Sequence, residues 1–104
     1  MDALTRLEMT VTERLAADPA TSYVAGLRAK GLPTIARKLG EEAVEAVVAA
    51  LSGPDEELVG EAADVLFHLT VLLAAKGIPL AHVLAELERR EGTSGLAEKA
   101  SRSA

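Results

Sequence analysis

There is no cysteine in the chain, which removes both a disulfide framework and a thiolate metal site and fits a reducing compartment. Tryptophan is absent too, and one tyrosine and one phenylalanine make up the whole aromatic content. A core so poor in rings must be built from Ala, Val, Leu and Ile, a palette suited to helices packed closely together. Basic residues are few and dispersed, 11 Lys and Arg against 16 Asp and Glu, for a net charge of -5. Without a basic stripe, no nucleic-acid partner is expected, although an acidic chain remains compatible with a small nucleotide. A long hydrophobic run is also missing. The most apolar stretch, 62–75, contains Asp64 and His68 and falls short of the roughly 20 apolar residues of a membrane span. Charges at Asp2, Arg6, Glu8 and Glu13 leave no apolar core for a secretory leader. The expectation is a cytoplasmic protein with no membrane partner.

What is present is helical period. Leu4, Leu7, Val11 and Leu15 recur at spacings of three and four and predict a first amphipathic helix, closed by Asp18-Pro19. A short helix is expected over Ser22 to Lys30, ended by Gly31 and Pro33. Thr34 is then placed to cap a long helix to about Leu51. Ser52-Gly53-Pro54-Asp55 breaks the pattern, a second long helix runs from Glu56 to about Lys76, and another follows Pro79. The fold class expected is all-α, an antiparallel bundle of four to five helices completed by oligomerisation. Residues 1–91 form the domain, and 92–104, rich in Gly, Ser and charge, a flexible tail.

The chemistry lies in the acids. Glu41, Glu42 and Glu45 fall on one long helix and Glu61 and Asp64 on the next. At about 100° per residue, each set occupies an arc of about 100° or less. The intervening break is short, so the helices should be antiparallel neighbours with the two acidic stripes at similar heights. Carboxylates meeting there repel unless a cation joins them or some are protonated, and hard oxygen ligands select magnesium, manganese or calcium over zinc. Solvated surface glutamates are the plainer alternative, but Ala43, Val44, Val47, Ala62, Ala63 and Val65 interleave with the acids and are expected to set both stripes beside buried surface. Phosphate-binding candidates are the basic residues around the loop that leads into the acidic helix: Arg28, Lys30 and Lys38, with Arg37 beside them. His68, one turn after Asp64, suits a core position with its ring nitrogens satisfied better than a ligand position.

Two glutamates, a third three residues on, and an E-x-x-D on the following helix resemble the signature of the all-α nucleoside-triphosphate pyrophosphohydrolases. Ser22-Tyr23, Lys30-Gly31, residues 35–45 and residues 61–69 are similar more narrowly to the phosphoribosyl-ATP pyrophosphohydrolase family of histidine biosynthesis, over about Leu4 to Gly95. The resemblance implies an Mg2+-dependent hydrolase, with Mn2+ as a substitute, that releases pyrophosphate from a nucleotide. Glu41, Glu42, Glu45, Glu61 and Asp64 match its catalytic positions, and Glu42, Glu45, Glu61 and Asp64 are the expected metal ligands. The carboxylates alone do not distinguish phosphoribosyl-ATP from other triphosphates. A house-cleaning triphosphatase of the same superfamily and a non-enzymatic helical dimerisation module are the alternatives. Finally, Val65, Leu66, Phe67, Leu69, Val71, Leu72 and Leu73 spread apolar surface around the second long helix, more than one small chain covers, so a homodimer or dimer of dimers is expected.

Overall fold

A computed structural model describes residues 1–103, and every regular element among them is a helix. In chain order they are α1 (Ala3–Leu15), α2 (Tyr23–Lys30), α3 (Leu32–Ser52), α4 (Asp55–Ala75), α5 (Leu80–Arg89) and α6 (Gly95–Ser103). Local chemistry accounts for most of the boundaries. Asp2 accepts a hydrogen bond from the Thr5 amide at the start of α1, and Ser22 accepts one from the Ala25 amide at the start of α2, each satisfying a donor the helix leaves unpaired. Asp55, Glu56 and Glu57 open α4, where negative charge complements the helix dipole.

The start of α3 differs from expectation. Thr34 lies inside the helix and its amide donates to the Gly31 carbonyl, while Pro33 occupies the first turn, where its missing N–H costs nothing. Gly31 is both the C-cap of α2 and the N-cap of α3. Its φ of 104° lies where a side chain is strained, so one glycine turns the chain between two helices without a linker. Gly31→Ala is expected to lower stability by about 1–3 kcal/mol, read as a lower denaturant midpoint at unchanged m-value.

The two longest helices are joined by Gly53-Pro54 alone and pack against each other over the largest contact in the fold; α4 also packs on α1, and α2 on α1 and α3. Val11, Val24, Leu27, Ile35 and Val71 form the buried core, with Leu7, Leu15, Phe67, Leu72 and Ala74 against it. Every ring and branched chain of this core comes from α1 to α4. Across the far end, the Glu8 carboxylate accepts a hydrogen bond from the Leu80 amide at 2.6 Å, so a side chain of α1 caps α5, which has no cap of its own.

Six helices stand where four or five are expected, because residues 95–103 coil into α6 instead of fraying. The tail lacks an apolar period, but it carries Glu98, which is buried and ion-paired with Arg89 at 2.7 Å, with Arg102 and Arg90 slightly further away. A buried carboxylate among three guanidinium groups supplies the tertiary anchor that hydrophobic periodicity does not. Ala104, also part of the expected tail, lies outside the described residues. A second difference concerns α4. The whole 21-residue helix is long and apolar enough to cross a membrane by length and composition, whereas the stretch 62–75 alone is not; here it carries Glu61 and Asp64 and packs on two helices.

Candidate metal and nucleotide site

The hairpin of α3 and α4 folds residues at equal distances from Gly53-Pro54 onto one another. Carboxylate oxygens of Glu42, Glu45 and Glu61 all lie within 4.8 Å of one another. Glu42 is only 7% exposed, Glu61 is half-buried, and Glu45 is exposed. Negative groups at this separation repel one another. A side-chain hydrogen bond with Glu42 and its charge, followed by desolvation and Glu61, push the Glu45 carboxyl above its ordinary value. One oxygen of Glu61, Oε2, is buried with no hydrogen-bond partner. A buried anionic oxygen without a donor is costly, and a divalent cation is the partner a cluster of carboxylate oxygens fits. The donor set therefore fits a hard divalent cation.

Asp64 lies one turn further along α4, exposed and outside this close triad. Glu41 is exposed as well, paired with Arg37 at 3.4 Å and with Lys38 at 3.5 Å. Lys38 also reaches Glu42 at 3.4 Å, and that contact raises its proton affinity first, ahead of the nearby Tyr23. The ammonium thus stays charged at the rim of the acidic cluster. Lys30 and Arg28 are placed elsewhere. Lys30 lines a cavity of about 430 Å³ with Ser22, Tyr23 and Gly26. Arg28, expected among the phosphate-binding residues, donates from Nη1 to the Leu15 carbonyl at 3.1 Å and so closes the C-terminus of α1.

His68 takes the core position expected of it. It is 6% exposed, and both ring nitrogens are bonded: Nδ1 to the Asp64 carbonyl at 2.8 Å and Nε2 to the Tyr23 hydroxyl at 2.8 Å. A carbonyl only accepts, so Nδ1 carries a proton, and in the neutral imidazole Nε2 then accepts from the Tyr23 hydroxyl. The sequence marks Tyr23 only as part of the family likeness and gives it no role, because its partner is 45 residues away and nothing in local spacing connects them. The available signal was scarcity, since it is the chain's single tyrosine.

A family model described as phosphoribosyl-ATP pyrophosphohydrolase matches residues 4–91. Three similar proteins are each named phosphoribosyl-ATP pyrophosphatase. That of Rhizorhabdus wittichii is 68% identical over 99 residues, covering 95% of this chain and 93% of its own length. That of Novosphingobium aromaticivorans is 66% identical, over 98% of this chain and 95% of its own. The Erythrobacter litoralis protein is 65% identical, over 98% of each.

Proposed function

Given that the chain belongs to the phosphoribosyl-ATP pyrophosphohydrolase family, we propose that the triad of Glu42, Glu45 and Glu61, joined by Asp64, is the centre at which it works. The enzyme hydrolyses phosphoribosyl-ATP to phosphoribosyl-AMP and pyrophosphate in histidine biosynthesis, a reaction of the cytoplasm. This assignment takes precedence over the house-cleaning and dimerisation-module readings. The observation that carries the site is the convergence of three carboxylates from two helices within 4.8 Å, one with a buried unpaired oxygen.

Glu42, Glu45, Glu61 and Asp64 would hold Mg2+. When bound, it supplies positive charge to the phosphate oxygens and offsets the charge developing on the leaving group. The protein's residues do the rest. Glu41 and Glu42 hold the Lys38 ammonium at the rim, where it faces a bound triphosphate and adds a fixed charge. Lys30, in the neighbouring cavity, contacts a second phosphate. A water molecule attacks the α-phosphorus and gives up its proton to a carboxylate of the cluster, while the bond from that phosphorus to the bridging oxygen breaks and pyrophosphate leaves as one unit. Hydrolysis in ¹⁸O-water is expected to place label in phosphoribosyl-AMP and leave early pyrophosphate unlabelled by mass spectrometry. Label in pyrophosphate, or stepwise release of orthophosphate, would contradict attack at the α-phosphorus.

The helices form a bundle that a second copy completes. The radius of gyration is 15.8 Å, against about 13 Å for a compact chain of this length. Accessible surface is 7087 Å², against about 5,500 Å² for a compact monomer of this mass. Much of the excess is apolar: Val44, Val47, Val48 and Leu51 are exposed on α3 and Val59 and Leu66 on α4, with Leu51 83% exposed. Such a patch on the helices that carry the acids is an interface between copies. Light scattering at micromolar concentration is expected to give a mass of two or four chains of 10.8 kDa, and the mass of one chain would refute the assembly.

A further inference from the structure

The fold places an aromatic face between the acidic cluster and a lysine-lined cavity. Tyr23 opens α2 with 53% of its surface exposed. Its hydroxyl donates to Nε2 of buried His68, and that histidine is fixed in turn by the Asp64 carbonyl. Phe67 packs against the tyrosine ring at a centroid distance of 6.2 Å, and the His68 ring meets it edge-on at 5.8 Å. An exposed tyrosine side chain ordinarily samples several rotamers, whereas this one is tethered at its tip and supported on its flank. Its remaining surface lines the cavity of about 430 Å³ that also holds Lys30. Its hydroxyl end meets, through His68, the Asp64 carbonyl one turn from Glu61 on α4, so the ring borders the helix that carries two of the acids. Lys30 is seven residues further along α2, about 10 Å at 1.5 Å per residue.

The order of groups matches the order of parts in the substrate. Phosphoribosyl-ATP carries its triphosphate at one end, a purine ring in the middle, and a second ribose with a phosphate monoester at the other end. The carboxylates with Lys38, the Tyr23 face and Lys30 stand in that sequence. A purine ring stacks on a flat aromatic surface, and Tyr23 is the chain's only tyrosine, with no tryptophan present. We propose that Tyr23 contacts the substrate as the platform on which its purine stacks, and that His68 is the positioning residue that holds the platform in place. This rests on the reading of the chain as a phosphoribosyl-ATP hydrolase.

The same scarcity makes the test direct, because intrinsic emission excited at 280 nm comes from Tyr23 alone. Titrating the intact Mg2+-loaded protein with phosphoribosyl-AMP is expected to quench that emission, whereas pyrophosphate, which has no ring, leaves it unchanged. Tyr23→Leu is expected to raise KM for phosphoribosyl-ATP by about ten- to a hundredfold, the range of a lost base–aromatic stack, with kcat retained. Tyr23→Phe and His68→Leu each free the ring from its tether, so each raises KM to a smaller extent and the double variant adds little. A histidine with a purely structural role would lower the melting temperature without this coupling in KM. Unchanged emission when equilibrium dialysis shows phosphoribosyl-AMP bound, or an unchanged KM in Tyr23→Leu, would overturn the inference while leaving the activity standing. Failure of the unaltered enzyme to turn over phosphoribosyl-ATP would instead remove the reading on which it rests.

Discussion

Glu61→Gln is expected to lower turnover of phosphoribosyl-ATP by about a thousandfold or more, which corresponds to about 4 kcal/mol of lost transition-state stabilisation. The substitution preserves shape and removes only charge. Circular dichroism should therefore show the helices intact, so the loss is chemical. Stability moves in the opposite direction to activity. Glu61 shares its 4.8 Å neighbourhood with two other carboxylates, and removing one charge relieves their repulsion. With metal chelated, Glu61→Gln is expected to melt above the unsubstituted protein. Glu45→Gln is expected to behave alike, with a smaller gain in melting temperature because its exposed side chain is already screened by solvent. A Glu61→Gln enzyme that keeps a tenth or more of its activity would rule out the triad as the reacting centre.

Removing Mg2+ should abolish turnover and lower the melting temperature together. A ligand that binds only the native state adds RT ln(1 + [L]/Kd), about 1.4 kcal/mol at ten times Kd, and a chain near this length shifts by roughly 4–8 °C per kcal/mol. The size of the shift should depend on pH in a definite direction. Glu45's carboxyl is raised in the folded chain, first by its hydrogen bond with Glu42. The stabilisation from its proton is fully present below the unfolded value and is lost as pH rises through the folded one. Proton and cation compete for the same oxygens, so the increment from Mg2+ grows as pH rises through the carboxylate range and then levels off. Calorimetric melts with Mg2+ and with chelator across that range measure it. Equal melting temperatures at Mg2+ concentrations that support activity would be incompatible with a cation held by these carboxylates.

Helix periodicity made most of the fold legible. The Leu4, Leu7, Val11 and Leu15 stripe buries Val11 completely, and the boundaries of α2, α4 and α5 fall within about a residue or two of their Gly and Pro signals. Thr34 misled because two N-terminal signals compete within four residues, and proline at the first turn prevailed over a hydroxyl cap. The helix over residues 95–103 was illegible for a different reason. Its anchor is an ion pair between Glu98 and Arg89, nine residues apart across a turn, and charge carries no period that reveals it.

At the site, spacing along the sequence determined which acids share a helix face, and the shortness of the Gly53-Pro54 link determined that the two faces meet, because both follow from a fixed rise and rotation per residue. Which acids approach closely was decided only in three dimensions. Glu42, Glu45 and Glu61 converge, whereas Asp64, on nearly the same face as Glu61, remains exposed one turn away. Tertiary structure also decided that Arg28 serves the end of α1 and that Tyr23 meets His68 across 45 residues, whereas Lys38 meets Glu41 and Glu42 at the three- and four-residue spacings of a single helix. Periodicity is a property of a single helix and can be read along it. The partner of a long flexible side chain, or of a ring on another helix, depends on how helices are translated and rotated against one another, and that is set by the packing of the whole core.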